Sequence, residues 1–181
     1  MTTPRYDGLV RVSAPATEPV TLAETKAFLR ITHDDDNARI ADMITSARVL
    51  AEQWLRKSLL TQSWKLGIEG NISGSLRLLM NPIQAITSVT TFDAALAATV
   101  ISPSQYALST AKDKLVMLDT LHGYRTEIIY VAGYGTASDV PKPIKLGILQ
   151  HVASMVDGSI GLAPIPDSVL QYYMPFRELT L

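Results

Sequence analysis

The stretch from Asp36 to Lys57, DNARIADMITSARVLAEQWLRK, decides the fold class. Ile40, Met43, Ile44, Ala47, Leu50, Ala51, Trp54 and Leu55 recur at spacings of three and four, which lays one continuous apolar stripe along a helix. Asp34, Asp35 and Asp36 stand at its start, and Arg48, Arg56 and Lys57 lie towards its end, the polarity that a helix macrodipole favours. At ~1.5 Å per residue such a helix is about 33 Å long. On a protein of 181 residues it serves as a packing rod.

Upstream, Thr21 and Glu24 have the spacing of a capping box, in which each side chain satisfies the other's free backbone N–H. A first helix is expected from there to about Ile31, with Leu22, Phe28 and Leu29 on its apolar side. Residues 1–20 read as an extended arm, because Pro4, Pro15 and Pro19 interrupt any helix. A short strand fits around Leu9–Val12.

Downstream of Ser58 the period changes from helical to two. Trp64, Leu66 and Ile68 alternate with Lys65 and Gly67, and Leu76 and Leu78 flank Arg77. Thr87–Phe92, Ser104–Leu108, Lys114–Leu118 and Glu127–Val131 continue the strand pattern. Turn-like pieces separate them, such as Gly70-Asn71, Asp93-Ala94 and His122-Gly123. Short strands at this spacing predict an antiparallel sheet or small sandwich over about Thr61–Ala132. Gly133-Tyr134-Gly135 closes the block. A helix is expected over about Pro141–Val156, with Ile144, Ile148, Leu149, Val152 and Met155 on its apolar face. A loop from Gly158 to Pro166 follows, then a short helix over Asp167–Met174 that Pro175 halts.

The expected class is therefore α+β: a helical bundle with a long central helix, into which an antiparallel β block is inserted. Its parts are an arm (1–20), a helical part (21–58), the β block (59–135), a helix packing back on the bundle (136–157) and a C-terminal segment (158–181).

Composition narrows the function classes. Hydrophobic residues make up 47% and charged residues 18%, ordinary for a globular protein. The net charge is −1 with both signs mixed along the chain, so strong sequence-independent DNA binding, which needs clustered Lys and Arg, is not expected. The chain has no cysteine, which removes disulfides, thiolate metal sites and a Cys nucleophile. The first residues lack a signal-peptide pattern, and no apolar run approaches the ~20 residues of a membrane span. A soluble protein made in the cytoplasm is the expectation.

Candidate chemistry is sparse. His33 with Asp34, Asp35 and Asp36 offers metal-ligand types, but consecutive residues fan around a turn, and an N-cap with an acidic first turn explains them. His122 and His151 are isolated. The glycines of 133–135 lack the third glycine of a phosphate-binding loop, and a turn at positive φ accounts for them. Neither a catalytic motif nor a cofactor motif is present, so no catalytic, cofactor or metal residues are assigned. Trp54 and Trp64 are expected in the core. Tyr172, Tyr173, Met174, Phe176 and Arg177 are residue types enriched at protein interfaces; they either grip a partner or fold back on the core.

Several segments together resemble the head–tail connector (adaptor) family of long-tailed double-stranded DNA phages and gene transfer agents. They are Glu18-Pro19-Val20-Thr21-Leu22-Ala23-Glu24-Thr25-Lys26-Ala27-Phe28-Leu29-Arg30, His33-Asp34-Asp35-Asp36-Asn37-Ala38-Arg39-Ile40, Leu60-Thr61-Gln62-Ser63-Trp64, Pro82-Ile83-Gln84-Ala85-Ile86-Thr87-Ser88-Val89, Tyr130-Val131-Ala132-Gly133-Tyr134-Gly135 and Val140-Pro141-Lys142-Pro143-Ile144. Their order and spacing carry the likeness from about residue 18 to 156. It departs most at Gly158–Pro166.

The resemblance implies a structural, non-enzymatic subunit in the neck of a virion or phage-like particle. Such subunits form a ring, commonly a dodecamer, that binds a portal protein on one side and stopper or tail proteins on the other. Double-stranded DNA passes through the channel. It implies no cofactor and no membrane partner. The C-terminal residues Tyr172, Tyr173, Met174, Phe176 and Arg177 then become a candidate portal interface, and Asp34, Asp35 and Asp36 a candidate channel-facing acidic cluster. The alternatives are another neck or tail ring component (stopper or terminator), a metal-dependent hydrolase using His33 and the aspartates, and a small-ligand or carbohydrate-binding module on the β block.

Overall fold

The computed structural model describes residues 5–158 and 165–177. The chain is α+β and divides into two compact units, each assembled from separate pieces of sequence. One contains the chain up to Pro15 and Thr61–Gly133; the other contains Ala16–Leu60 and the chain from Tyr134.

The β unit begins in the arm. Strand β1 (Arg5–Ser13) is longer than the Leu9–Val12 expected, because it is templated by antiparallel pairing with β2 (Gln62–Glu69). Prolines bound this stretch without entering it. Next come β3 (Ser75–Arg77), β4 (Ile83–Phe92), β5 (Ala98–Val100), β6 (Tyr106–Leu108), β7 (Lys114–Met117) and β8 (Arg125–Ala132). Strand β5 carries no alternation in the sequence, since all three of its residues are exposed. A single 3-10 turn, Pro103–Gln105, occupies the start of the Ser104–Leu108 stretch, where Pro103 cannot donate to a ladder.

The strands form a five-stranded sheet in the order β1-β2-β8-β4-β5 and a three-stranded sheet in the order β3-β7-β6, all antiparallel. Central strand β8 shows the period of two most cleanly: Thr126, Ile128, Tyr130 and Ala132 are buried, and the residues between them are half-buried. Leu66, Ile68, Val89, Ile128 and Tyr130 from the larger sheet share one core with Leu76, Leu115 and Met117 from the smaller. Trp64 packs against that core with part of its surface exposed. The Tyr130 hydroxyl donates to the Leu79 carbonyl at 2.8 Å, which satisfies the one polar atom that this ring buries.

The helical unit contains α1 (Leu22–Leu29), α2 (Asn37–Leu55), α3 (Lys142–Val156) and α4 (Asp167–Tyr173), the last continued by a 3-10 turn over Met174–Phe176. The capping box at α1 is present in both directions: Thr21 Oγ1 accepts from Glu24 N at 3.1 Å, and Glu24 Oε2 accepts from Thr21 N at 2.7 Å. Helix α1 ends early at Arg30, whose left-handed conformation (φ 58°) turns the chain. Helices α2 and α3 flank the β block in sequence and pack on each other, with Ile40, Ile44, Ala47, Ala51 and Leu55 meeting Ile144, Ile148 and Val152. Val169 and Tyr173 of α4 complete this core.

Candidate functional site

The acidic run does not enter the helix. Helix α2 starts at Asn37 with no acidic residue in its first turn, and Asp36 makes no side-chain capping bond. Asp34 is used instead. Its Oδ1 accepts from Lys26 Nζ at 2.6 Å and from Asn37 Nδ2 at 3.1 Å, while its carbonyl accepts from Asn37 N at 3.1 Å. Lys26 also donates to Asn37 Oδ1 at 2.9 Å, so these three side chains tie α1 to the start of α2. The Lys26 ammonium, helped by the Asn37 amide, holds the Asp34 carboxyl below the usual carboxylate range.

Asp35 projects into solvent, and Asp36 is half-exposed. His33 lies 3.8 Å from Asp35 and 4.0 Å from Asp36, beyond hydrogen-bond length. Asp36 borders a depression formed with Ile31, Arg39, Ile40, Met43 and Val156, enclosing ≈ 20 Å³, about one water. Among the described residues no three His, Cys, Asp or Glu side chains are placed to share a metal ion.

The C-terminal aromatic segment is pinned to the helical core. Tyr173 is fully buried, and its ring lies against Gly147 so closely that a Cβ there would collide with it. It also packs at 6.2 Å, centroid to centroid, on Trp54. The Arg177 guanidinium sits 4.6 Å above the same indole, a cation–π stack that holds the end of the segment. Tyr172 and Phe176 are partly buried against this core, whereas Met174 is 63% exposed. Folding back has therefore claimed Tyr173 for the interior and left Met174 as the segment's open apolar contact. The residues of 159–164 and 178–181 on either side lie outside the described part of the chain.

The isolated histidines are separated. His122 is exposed, and His151 is buried in α3 with no hydrogen-bond partner for Nδ1 among the described residues. Burial pushes the His151 pKa down, so it is a neutral core residue. At the end of the β block, Gly135 has φ +136° and a Cβ there would meet Asp139 Oδ2 at 2.6 Å. That oxygen accepts from both Thr136 N (2.8 Å) and Thr136 Oγ1 (2.7 Å), which makes the segment a tight turn.

One polar cluster was hidden from the sequence. Arg48 belongs to the buried face of α2 and not to a basic helix end. Its Nε donates to Glu18 Oε2 at 2.6 Å and its Nη1 to Glu52 Oε2 at 2.9 Å. Glu52 Oε1 accepts from Leu59 N at 2.8 Å, and Thr45 Oγ1 donates to Glu18 Oε1 at 2.9 Å. Leu59 O in turn accepts from Tyr134 N at 3.3 Å. Glu18, Leu59 and Tyr134 stand on the three stretches by which the chain enters or leaves the helical unit, so Arg48 is the centre of a clasp on them. The sequence signal was the Arg48/Glu52 pair, four residues apart, along the margin of the apolar stripe.

The comparisons with known proteins agree with this architecture. Residues 19–99 match the model of the phage gp6-like head–tail connector family. No curated protein matches the chain. A chain in the neck of an empty gene transfer agent (GTA) particle, solved with C6 symmetry, superposes with a TM-score of 0.80 at 19% identity, covering 96% of this chain and 97% of that one. A chain in the virion of a native GTA particle gives 0.78 at 21%, covering 96% of each. A third, in the neck of a native GTA particle with C12 symmetry, gives 0.71 at 20%, covering 95% and 97%. The resemblance read from the sequence is thereby borne out: the chain carries the phage gp6-like head–tail connector signature over residues 19–99 and has, over nearly its whole length, the fold found in GTA particles and their necks.

Proposed function

We propose that this protein is a structural head–tail connector subunit that forms a ring in the neck of a phage or phage-like particle. The observation that carries this is the coverage. Both units, the helical bundle and the β unit with its N-terminal strand, are matched together by a neck chain of nearly equal length. The family-model match over residues 19–99 supports it independently. The 19-residue helix α2 and the helical core around it favour a connector over a stopper or tail-terminator subunit, which would be more wholly β.

In this role the subunit catalyses nothing. Twelve copies form the ring after assembly in the host cytoplasm, with a portal protein on one side, stopper or tail proteins on the other, and double-stranded DNA passing through the channel. Met174, with the exposed parts of Tyr172, Phe176 and Arg177, is the portal-facing contact; Tyr173 supports it from inside. Asp35 and Asp36 face the channel, where carboxylates let DNA slide because they offer no phosphate neutralisation.

Light scattering after size exclusion, on the chain alone and mixed with its cognate portal, tests the proposal. A ring-sized mass, or a monomer that joins the portal in a ring-symmetric ratio, is expected. A monomer with no affinity for portal overturns it. Met174→Asp is expected to weaken portal docking at least tenfold while the fold is kept, and unchanged docking removes the C-terminal segment from the interface.

A further inference from the structure

We infer that neighbouring copies of this chain meet edge to edge through the two outer strands of the five-stranded sheet, β1 of one copy beside β5 of the next. This rests on the ring proposed above and names the surfaces that close it.

Strands β1 and β5 end the sheet on opposite sides, and they are the strands most open to solvent. Strand β1 is exposed at every position except Leu9, and β5 at all three. Each edge presents aliphatic side chains to water: Val10 and Val12 (both 56% exposed) on β1, Val100 (73%) on β5 and Leu96 (66%) in the turn before it. An open edge offers unpaired N–H and C=O groups to another strand, and exposed branched side chains beside it add apolar contact.

The backbone of β5 is set to receive one. The Ala97 carbonyl accepts from Asp93 N at 3.2 Å, and Ile101 N donates to Val89 O at 2.9 Å, so these odd-numbered residues bond inward. Antiparallel alternation then directs the N–H and C=O of Ala98 and Val100 to the open side. On β1, register shifts between Tyr6 and Gly8 and between Arg11 and Ser13 leave Gly8–Arg11 as the regular stretch. Four regular residues on one edge match three on the other. The irregular flanks disfavour longer pairing with an unrelated strand.

The occupant is a second copy because the two edges are different and close opposite sides of one hydrogen-bonded sheet. A closed ring needs head-to-tail contacts between two unlike surfaces of each subunit. A three-residue edge is short for holding a flexible peptide, but adequate between preorganised sheets that lose little freedom on meeting. The direction follows as well. Every adjacent pair in the sheet is antiparallel and the strand number is odd, so β1 and β5 run the same way. Copies related by a small rotation about an axis close to the strand direction would join through a parallel strand pair.

The lack of cysteine makes a clean test. The full chain carrying both Val10→Cys and Val100→Cys is mixed with its cognate portal and treated with a short bismaleimide. Light scattering is recorded on the same sample, and circular dichroism confirms the unaltered fold. A ladder of covalent multimers is expected from the double variant, with none from either single variant. A ring-sized mass without the ladder overturns the edge contact and leaves the ring standing. Dimers from Val10→Cys alone overturn it in favour of a two-fold β1–β1 contact. A ladder with an open-ended mass distribution supports the contact and counts against closure. A chain that stays monomeric with portal present overturns both the contact and the ring.

Discussion

Replacing Arg48 by Met tests whether the clasp at the chain crossings stabilises the helical unit or merely decorates it. Methionine keeps the aliphatic stem packed on α2 and removes the charge. Glu18 and Glu52 then each lose their ion pair with Arg48. The Glu52 side chain is 4% exposed, so it cannot recover its lost bond from water; Glu18 is 28% exposed and partly can. Leaving one partner of a buried pair uncompensated costs about 3–5 kcal/mol. Glu52 retains its bond from Leu59 N and Glu18 is partly solvated, so the lower end, about 3 kcal/mol, is expected. Adding Glu52→Gln removes the carboxylate charge whose bond from Arg48 is lost, while its amide oxygen still accepts from Leu59 N. The double variant Arg48→Met/Glu52→Gln should therefore be more stable than Arg48→Met alone. Urea unfolding followed by far-ultraviolet circular dichroism, run as a double-mutant cycle, measures both quantities. Arg48→Met within about 0.5 kcal/mol of the parent, or a double variant as costly as the two singles added, refutes the clasp.

Other residues give simpler expectations. Arg30→Gly should stabilise by about 1 kcal/mol, because glycine adopts the left-handed cap conformation that Arg30 is forced into, and thermal unfolding reads the gain. Thr21→Ala removes half of the capping box and should cost about 1 kcal/mol in the same assay. Gly147→Ala puts a methyl into the Tyr173 ring; a loss of about 1–3 kcal/mol is expected, with a change in the near-ultraviolet aromatic signal. His151 gives a pH dependence. Its folded pKa is depressed below the ordinary 6.5, so above that pH both states are neutral and its contribution is constant. As pH falls below 6.5 the unfolded chain takes up a proton that the folded core refuses. Stability should then drop by up to about 1.4 kcal/mol per pH unit until the folded pKa is reached. His151→Leu should flatten that part of the stability profile; an unchanged profile assigns the acid sensitivity elsewhere.

Local signals were legible wherever the partner lay within a few residues. The capping box at Thr21 and Glu24, the stripe on α2, the period of two in β2 and β8 and the apolar face of α3 could all be read along the chain. Strands β1 and β5 were less legible because their residues are exposed and so carry no alternation; their extended form comes from a neighbour far away in sequence. The candidate site divides the same way. Tyr172, Tyr173, Met174, Phe176 and Arg177 stand out by residue type, but their division into an interior anchor, a stack on Trp54 and an open Met174 depends on what α2 and α3 place beside them. The acidic run was visible, yet its role turned on Lys26 reaching Asp34 from the preceding helix.

By itself, then, the sequence determined the α+β class, the long helix, the sheet-rich middle and the resemblance to the connector family. These follow from periodicities of 3.6 and 2 and from local capping, which short-range backbone physics sets. Tertiary structure alone decided that the first strand joins the sheet, that each unit is built from separate pieces of chain, and that Arg48 is a buried clasp and not a helix-end charge. It also decided which edges and side chains remain open to a partner. The physical reason is that pairing of an edge strand and desolvation of an ion pair are energies between residues distant in sequence. Their sign is set by what else is buried beside them, and no window along the chain contains that information.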